Sequence, residues 1–269
     1  MNSKNKTYFI FSDVHGFYFP LVKALEKAGF DAENPNHIIV SLGDLLDRGD
    51  DTIKCLEFVN SFPDDRKILI RGNHEVLLWH LLINEEITTS DYRNGTVQTL
   101  AHLAEQTEET KQKKATPFSW NFDLFDAALK NPLRKKYYDS LRDFAEIGDN
   151  IFVHSWVPVR LKGSLEQPRL PVISLDDAFK CELDPEWRTS SFSWAVWGNP
   201  FNQFASGLHV PNKRVFCGHW GTYNVNMPLP NGDKNFGIFS ASGAEGSSIV
   251  GLDATTVLSR TVNVYVLKV

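Results

Sequence analysis

The chain has 269 residues, 42% of them hydrophobic and 23% charged, and carries a net charge of −5. That size and balance suit a soluble protein with a sizeable core of its own, and the negative sign argues against a mainly electrostatic nucleic-acid binder. No stretch approaches the roughly 20 apolar residues of a membrane helix, the opening YFIF is too short for a secretory leader, and three dispersed cysteines without CxxC spacing read as reduced packing residues, so the expectation is a cytoplasmic protein without a membrane partner.

TYFIFSD predicts a buried strand. FPLVKALEKAGF then predicts a helix with Leu21, Val22, Leu25 and Ala28 on one face and Gly29 as its cap. HIIVSL is a second strand, TIKCLEFVNSF a helix with Ile53, Leu56 and Val59 inward, RKILI a third strand, and EVLLWHLLI a buried helix. Alternation of this kind predicts βαβ units and a parallel sheet. From about residue 84 to 142 the pattern is helical but irregular. It includes the polar run at 105–114, a solvated face or loop, and the aromatic-rich FSWNFDLF at 118–125. This stretch is expected to be an inserted helical cap within one domain spanning 1–269. IFVHSW resumes the strands, residues 158 to 212 predict long loops, and RVFCGHW, NFGIFSAS, SSIVGLD and RTVNVYVLKV predict short strands.

Chemistry-bearing residues gather where strands finish. The first ends SDVHG, with Asp13 and His15. The second ends GDLLDRGD, with Asp44, Asp47 and Arg48, and the third ends RGNHE, with Arg71, Asn73 and His74. Later strands end VHSW and CGHW, with His154 and His219. Ligands of α/β sheets bind at the carboxyl ends of strands, so five strands deliver these side chains to one edge. So many carboxylates in GDLLDRGDD repel one another unless cations sit among them. The oxygen and imidazole donors, with no thiolate placed by any motif, suit two divalent ions, manganese first, with iron or zinc compatible. Asp13, His15 and Asp44 could hold one ion, and Asp44, Asn73, His154 and His219 the other. Two ions about 3.5–4 Å apart activate a shared water and stabilise in-line displacement at phosphorus. His74, outside the ligand set, could protonate the leaving oxygen, with Asp47 orienting it. Arg48 offers a planar fork for phosphate oxygens, and Arg71 either does the same or braces the loop.

Plainer readings apply elsewhere. Asp50, Asp51 and Glu75 read as carboxylates favouring helix N-termini. HEVLLWH lacks a zinc-protease motif, since Leu78 stands where the second histidine belongs. His80 reads as a core or cap histidine, His37, His102 and His209 as surface or structural. Trp194 and Trp197 read as core. Trp156 and Trp220, each following a site histidine, divide evenly between pocket lining and core. Asp253 reads as a strand-end cap rather than a carboxylate approaching the site.

Taken together, SDVHG, GDLLDRG, RGNHE, VHSW and CGHW resemble, in order, the five-block signature of the calcineurin-like metallophosphoesterases. GDLLDRG with RGNHE resembles the branch of Ser/Thr protein phosphatases, bacterial and phage relatives, and symmetrical diadenosine tetraphosphate hydrolases. The resemblance implies an α/β fold with a central two-sheet β-sandwich flanked by helices, a dinuclear centre, and phosphomonoester hydrolysis without a covalent intermediate. It implies Asp13, His15, Asp44, Asn73, His154 and His219 as metal ligands, His74 with Asp47 as proton donor pair, and Arg48 as phosphate binder. A phosphorylated protein is the first expected substrate and a dinucleoside polyphosphate the alternative. Two stretches depart from the family pattern. Trp220-Gly-Thr-Tyr follows His219 where many bacterial relatives read GHTP, and no arginine near AVWGNPF (195–201) matches a second phosphate ligand.

Overall fold

Alternate residues of the strands face opposite layers, and that alternation builds the architecture of this computed structural model, which describes residues 6–105 and 122–269. β1 (Thr7–Phe11), β2 (His37–Ser41), β3 (Lys67–Ile70) and the short β4 (Leu141–Arg142) pair in parallel, and β12 (Tyr265–Lys268) closes the far edge antiparallel to β1. A second sheet has the order β10-β11-β9-β6-β5, with β5 Phe144–Ile147, β6 Asn150–Val153, β9 Arg214–Cys217, β10 Phe239–Ser242 and β11 Ser248–Gly251. β6, β9 and β11 run parallel, and antiparallel strands flank them. The last strand therefore joins the first sheet, not its sequence neighbours.

Between the sheets lie Tyr8, Ile10, Ile38, Val40, Phe152, Phe216 and Val250. Their strand neighbours point the other way. Phe9, Phe11 and Ile39 pack on the helices α1 (Tyr18–Lys27), α2 (Thr52–Ser61) and α3 (Asn73–Asn84) through Leu21, Leu25, Leu56, Val59 and Leu78. Ile151, Val153, Val215, Cys217 and Ile249 pack on the far side with Trp156, Trp187 and Phe204. This period of two places one apolar residue per strand step in each layer, and the result is helix, sheet, sheet, helix. Phe152 and Phe216 stack at the centre with ring centroids 5.3 Å apart. Phe216→Ala should cost about 3–5 kcal/mol of unfolding free energy, read from the midpoint of a urea transition.

The segment 84–142 contributes α4 (Thr89–Asn94), α5 (Thr96–Glu105), α6 (Phe122–Lys130) and α7 (Pro132–Asp139). Leu100, Leu103, Phe125 and Tyr137 from it belong to the same core as α1–α3. All but the first residue of the polar run 105–114, and residues 118–121 of the aromatic stretch, lie outside the described residues. Residues 158–212 hold more than loops: an antiparallel ribbon of β7 (Val159–Leu161) and β8 (Cys181–Leu183), α8 (Leu175–Phe179) and α9 (Pro200–Ala205). Side-chain caps start both helices. Ser174 Oγ accepts from the Asp177 amide, and Asn199 Oδ1 from those of Phe201 and Asn202, ahead of Pro200 at the first helical position. A last helix, α10 (Thr256–Ser259), lies close to the site loops, Thr256 Oγ1 donating to the Asp13 carbonyl.

Candidate metal centre

The loops after β1, β2, β3, β6 and β9 leave their strands abruptly and meet at one edge. Asp13, His15, Asp44, Asp47, Arg48 and His219 all have φ between 51° and 71°. Left-handed backbone is costly for residues with a Cβ, and it persists where surrounding bonds over-determine it. Here the loops bond to one another: the Asp13 amide donates to the Gly43 carbonyl (3.2 Å), His15 to Asp44 (2.9 Å), and Gly218 to His154 (2.7 Å). Gly43 has φ +99°, and a Cβ there would meet the Gly72 amide nitrogen at 2.6 Å. A Cβ on Gly218 would overlap Ser12 Oγ and Asp13 Oδ2. The glycines preceding Asp44 and His219 are thus required by the closeness of the loops.

Four imidazoles converge on Asp44, each with one ring nitrogen engaged by an acceptor. His15 Nδ1 donates to the Leu46 carbonyl (3.1 Å), His154 Nδ1 to that of Leu42 (2.7 Å), and His74 Nδ1 to Asp47 Oδ2 (2.7 Å). A ring nitrogen of His219 donates to the Trp197 carbonyl. These bonds fix tautomer and orientation, leaving the other nitrogen to face the centre. Asp44 Oδ2 lies 3.8 Å from His15 Nε2 and 3.9 Å from His74 Nε2, and its Oδ1 lies 3.4 Å from His154 Nε2. Two groups of possible metal-ligand atoms result, His15–Asp44–His74 and Asp44–His154–His219, with Asp44 common to both. Asn73 Oδ1 sits 2.8 Å from His154 Nε2. With Nδ1 donating to Leu42, that contact sets two acceptors face to face, an arrangement a shared cation resolves. Hard oxygen and imidazole donors, a shared carboxylate and this acceptor pair fit two divalent ions.

The other expected residues divide. Asp13 is buried against the cluster but belongs to neither group; its carboxylate accepts the His219 amide (3.0 and 3.2 Å) and the Ser12 hydroxyl. Arg48 spans two imidazoles, Nη1 2.9 Å from His15 Nε2 and Nη2 2.9 Å from His74 Nε2. Arg71 stands apart, paired with Asp143 at 3.1 Å at the edge of a neighbouring cleft.

Burial opposes charge throughout, and the neighbours decide the sign. For Asp44 burial raises the carboxyl, but His154, His74 and His15 overcome it and hold it far below the usual carboxylate range. For Asp13 burial, then the nearby Asp253 and Asp44 carboxylates, push it well up. Burial and His154 depress His219 to about 3. Burial also works against protonated His74, yet Asp44 and the Asp47 bond win and raise it above its ordinary value. Such opposed titrations inside one buried cluster mark functional sites.

Several supporting residues escape a reading by motif. Glu75 does more than favour a helix end. Its carboxylate accepts the amides of Asp44 (3.0 Å), Leu45 (3.0 Å) and Gly72 (2.8 Å) and the Tyr137 hydroxyl (3.1 Å), clasping the second and third loops together. Thr96 Oγ1 donates to Asp47 Oδ2 (2.9 Å), and Thr99 Oγ1 accepts the Asp47 amide (3.1 Å), so α5 braces the partner of His74. Asp253, at the end of β11, accepts the Thr255 amide and also faces Asp13; burial raises it to about 6. Trp156 is buried in the core, whereas Trp194, expected in the core, and His80, expected in the core or as a cap, are exposed on the walls of the cleft. Cys55, Cys181 and Cys217 are free and buried. No helix among the described residues is long and apolar enough to cross a membrane.

A family model described as calcineurin-like phosphoesterase matches residues 6–223. A symmetrical bis(5'-nucleosyl)-tetraphosphatase of Buchnera aphidicola is 42% identical over 72 residues, 27% of this chain and 24% of that protein. Serine/threonine-protein phosphatase 1 of Salmonella typhimurium is 36% identical over 66 residues, 24% of this chain and 28% of that protein. The asymmetrical bis(5'-nucleosyl)-tetraphosphatase PrpE of Bacillus subtilis is 26% identical over 163 residues, 53% of this chain and 66% of that protein. The chain thus spans about a quarter of the length of the first two and about two thirds of the third.

Proposed function

This chain belongs to the calcineurin-like phosphoesterases, and from that premise we propose that it hydrolyses phosphoesters at a dinuclear metal centre. The observation that carries this reading is the convergence of four oriented imidazoles on the one carboxylate of Asp44. Asp13, His15 and Asp44 would hold one divalent cation, and Asp44, Asn73, His154 and His219 the other, manganese suiting this donor set first. When bound, the pair supplies positive charge to phosphoryl oxygens and acidifies water.

The rest of the reaction falls to this chain's own side chains. Arg48 donates to His15 Nε2 and His74 Nε2, the two nitrogens needed for a cation and for a proton. With a cation on His15 and a proton on His74 Nε2, Arg48 would lose both acceptors, and its Nη groups would be available for phosphate oxygens. His74 carries the proton at Nε2 and delivers it to the leaving oxygen as the bond to phosphorus breaks. Asp47 holds the Nδ1 proton and stabilises the charged ring before transfer. Asn73, beside His154, would also contact the substrate, and Arg71, on the neighbouring cleft, would meet the outgoing group. In this reading the 84–142 insertion of the single domain acts through α5, which fixes Asp47.

Phosphoserine or phosphothreonine in a protein is supported by the match to the Salmonella phosphatase. A dinucleoside polyphosphate is supported by the Buchnera match and by the aromatic cleft beside the site. Assays with and without Mn²⁺ on a chromogenic aryl phosphate, a phosphopeptide and diadenosine tetraphosphate test both. Metal-dependent turnover is expected, and two ADP as sole products would mark symmetrical cleavage. No metal-dependent turnover on any phosphoester would overturn the proposal.

A further inference from the structure

A cleft of about 1210 Å³ opens beside the metal centre. Its lining comes from α3, the end of α6, α7 and the 191–197 loop. It adjoins the centre through Arg71, Glu75 and Trp197, the last of which binds His219 by its carbonyl. The volume exceeds the 300–1,000 Å³ or so of ordinary small-molecule pockets.

Two tryptophans of the lining remain exposed, Trp79 of α3 at 43% and Trp194 of the 191–197 loop at 45%. Exposed indoles inside a cleft are stacking platforms for planar rings. Trp79 is backed by Tyr138, with ring centroids 6.0 Å apart.

Arg134 is the second observation, independent of the first. It lines the same cleft, is only 5% exposed, and forms no ion pair with any described carboxylate. Its Nη2 donates to the Leu129 carbonyl, and its Nε has no partner. The guanidinium leans on the rings of Tyr138 (5.2 Å) and Trp79 (5.9 Å), which offsets only part of its desolvation. The acids around it are engaged elsewhere: Asp139 with Lys135, Asp143 with Arg71, and Glu75 with backbone amides. A buried guanidinium with no direct ion-pair partner among the described residues, its nearest acid Asp139 held by Lys135, and walled by aromatic rings, suits an anion attached to a flat group.

We propose that this cleft is the leaving-group subsite and takes a nucleoside phosphate, its base between Trp79 and Trp194 and its phosphate on Arg134. The proposal rests on the hydrolase reading and adds the chemical class of the outgoing group. The oxygen of water bonds to phosphorus. The bond from phosphorus to the leaving oxygen breaks with its electron pair on that oxygen. His74 then protonates the nucleoside phosphate as it departs past Arg71.

Calorimetric titration of the full chain with ADP in EDTA, where turnover is off, tests the cleft alone. Saturable binding of ADP is expected, with inorganic phosphate unable to displace it at equal concentration. Trp79→Ala and Trp194→Ala should each weaken ADP about ten-fold. Arg134→Gln should do likewise, with Arg134→Lys recovering part of the loss. Leu165→Ser, at an 89% exposed position outside the cleft lining, is the control and leaves binding unchanged. In Mn²⁺, the ratio of kcat/KM on diadenosine tetraphosphate to that on glycerol 2-phosphate should fall about ten-fold in each tryptophan variant. ADP affinity indifferent to both tryptophan changes, or binding of a phosphoserine peptide in its place, overturns the proposal while leaving hydrolysis standing. ADP binding that needs both tryptophans, in a protein without turnover, sinks the hydrolase reading and keeps the nucleotide site.

Discussion

Asp44→Asn should lower kcat/KM by about 10³-fold or more and reduce bound Mn²⁺ from two ions per chain to one or none, measured by elemental analysis after desalting. The reason is geometric. Asp44 presents Oδ1 toward His154 and Oδ2 toward His15 and His74, and no other carboxylate belongs to both ligand groups. Its charge survives burial only because imidazoles surround it. Asparagine keeps the shape and can still accept the His74 amide, which Asp44 Oδ1 binds at 3.0 Å. It loses the negative charge and one of two donor oxygens, so the loops should stay folded while affinity for both cations drops. Several kcal/mol of transition-state charge stabilisation then disappears, and each 1.36 kcal/mol is a factor of ten in rate. Retention of two ions with activity within ten-fold of the parent would end the role of Asp44 as the shared ligand.

How far the sequence foretold this site depends on the range of each interaction. The gathering of Asp13, His15, Asp44, Asn73, His154 and His219 at one edge was legible because each stands just past an apolar run. A strand end constrains position by itself, and the period of two predicts where it lies. Glu75 was legible only in part. Its helix-start position shows in RGNHE, but its bonds to Asp44 and Leu45 cross 31 and 30 residues of chain. Nothing local distinguishes such a clasp from a carboxylate favouring a helix N-terminus. Thr96 and Thr99 were silent for the same reason, lying 49 and 52 residues from Asp47 in bonds that only packing of α5 creates.

Trp194 shows the opposite error. Tryptophan is buried on average, and the surrounding SFSWAVWGN has no period to place it. Trp156, Trp187 and Phe192 already fill that side of the second sheet, so Trp194 is left on the cleft wall. The partner of the last strand was equally hidden. YVLK alternates well enough for either sheet, and pairing with β1 depends on the edge that the parallel crossovers leave open. Asp253 follows the site rule at a sixth strand end, after β11, but GLDA carries no second polar motif to signal it.

His74→Asn is expected to reduce kcat by about 10²–10⁴-fold on a phosphoserine peptide with metal content intact, the range associated with loss of a general acid. On a nitrophenyl phosphate the loss should be smaller, since that leaving oxygen departs readily without a proton. Equal losses on both substrates would remove proton donation from the role of His74. Asp47→Asn gives the pH test. Burial alone would favour neutral His74, and the Asp44 charge together with the Asp47 bond reverses that preference. The protonated ring is the competent form, so activity holds below its raised pKa and falls as pH climbs through it. Removing the Asp47 charge leaves Asp44 as the remaining support, which lowers that pKa. The alkaline limb of kcat/KM should therefore move to lower pH in Asp47→Asn, with the acid limb unmoved. An alkaline limb that stays in place would mean that another group sets it and that Asp47 serves only to position the ring.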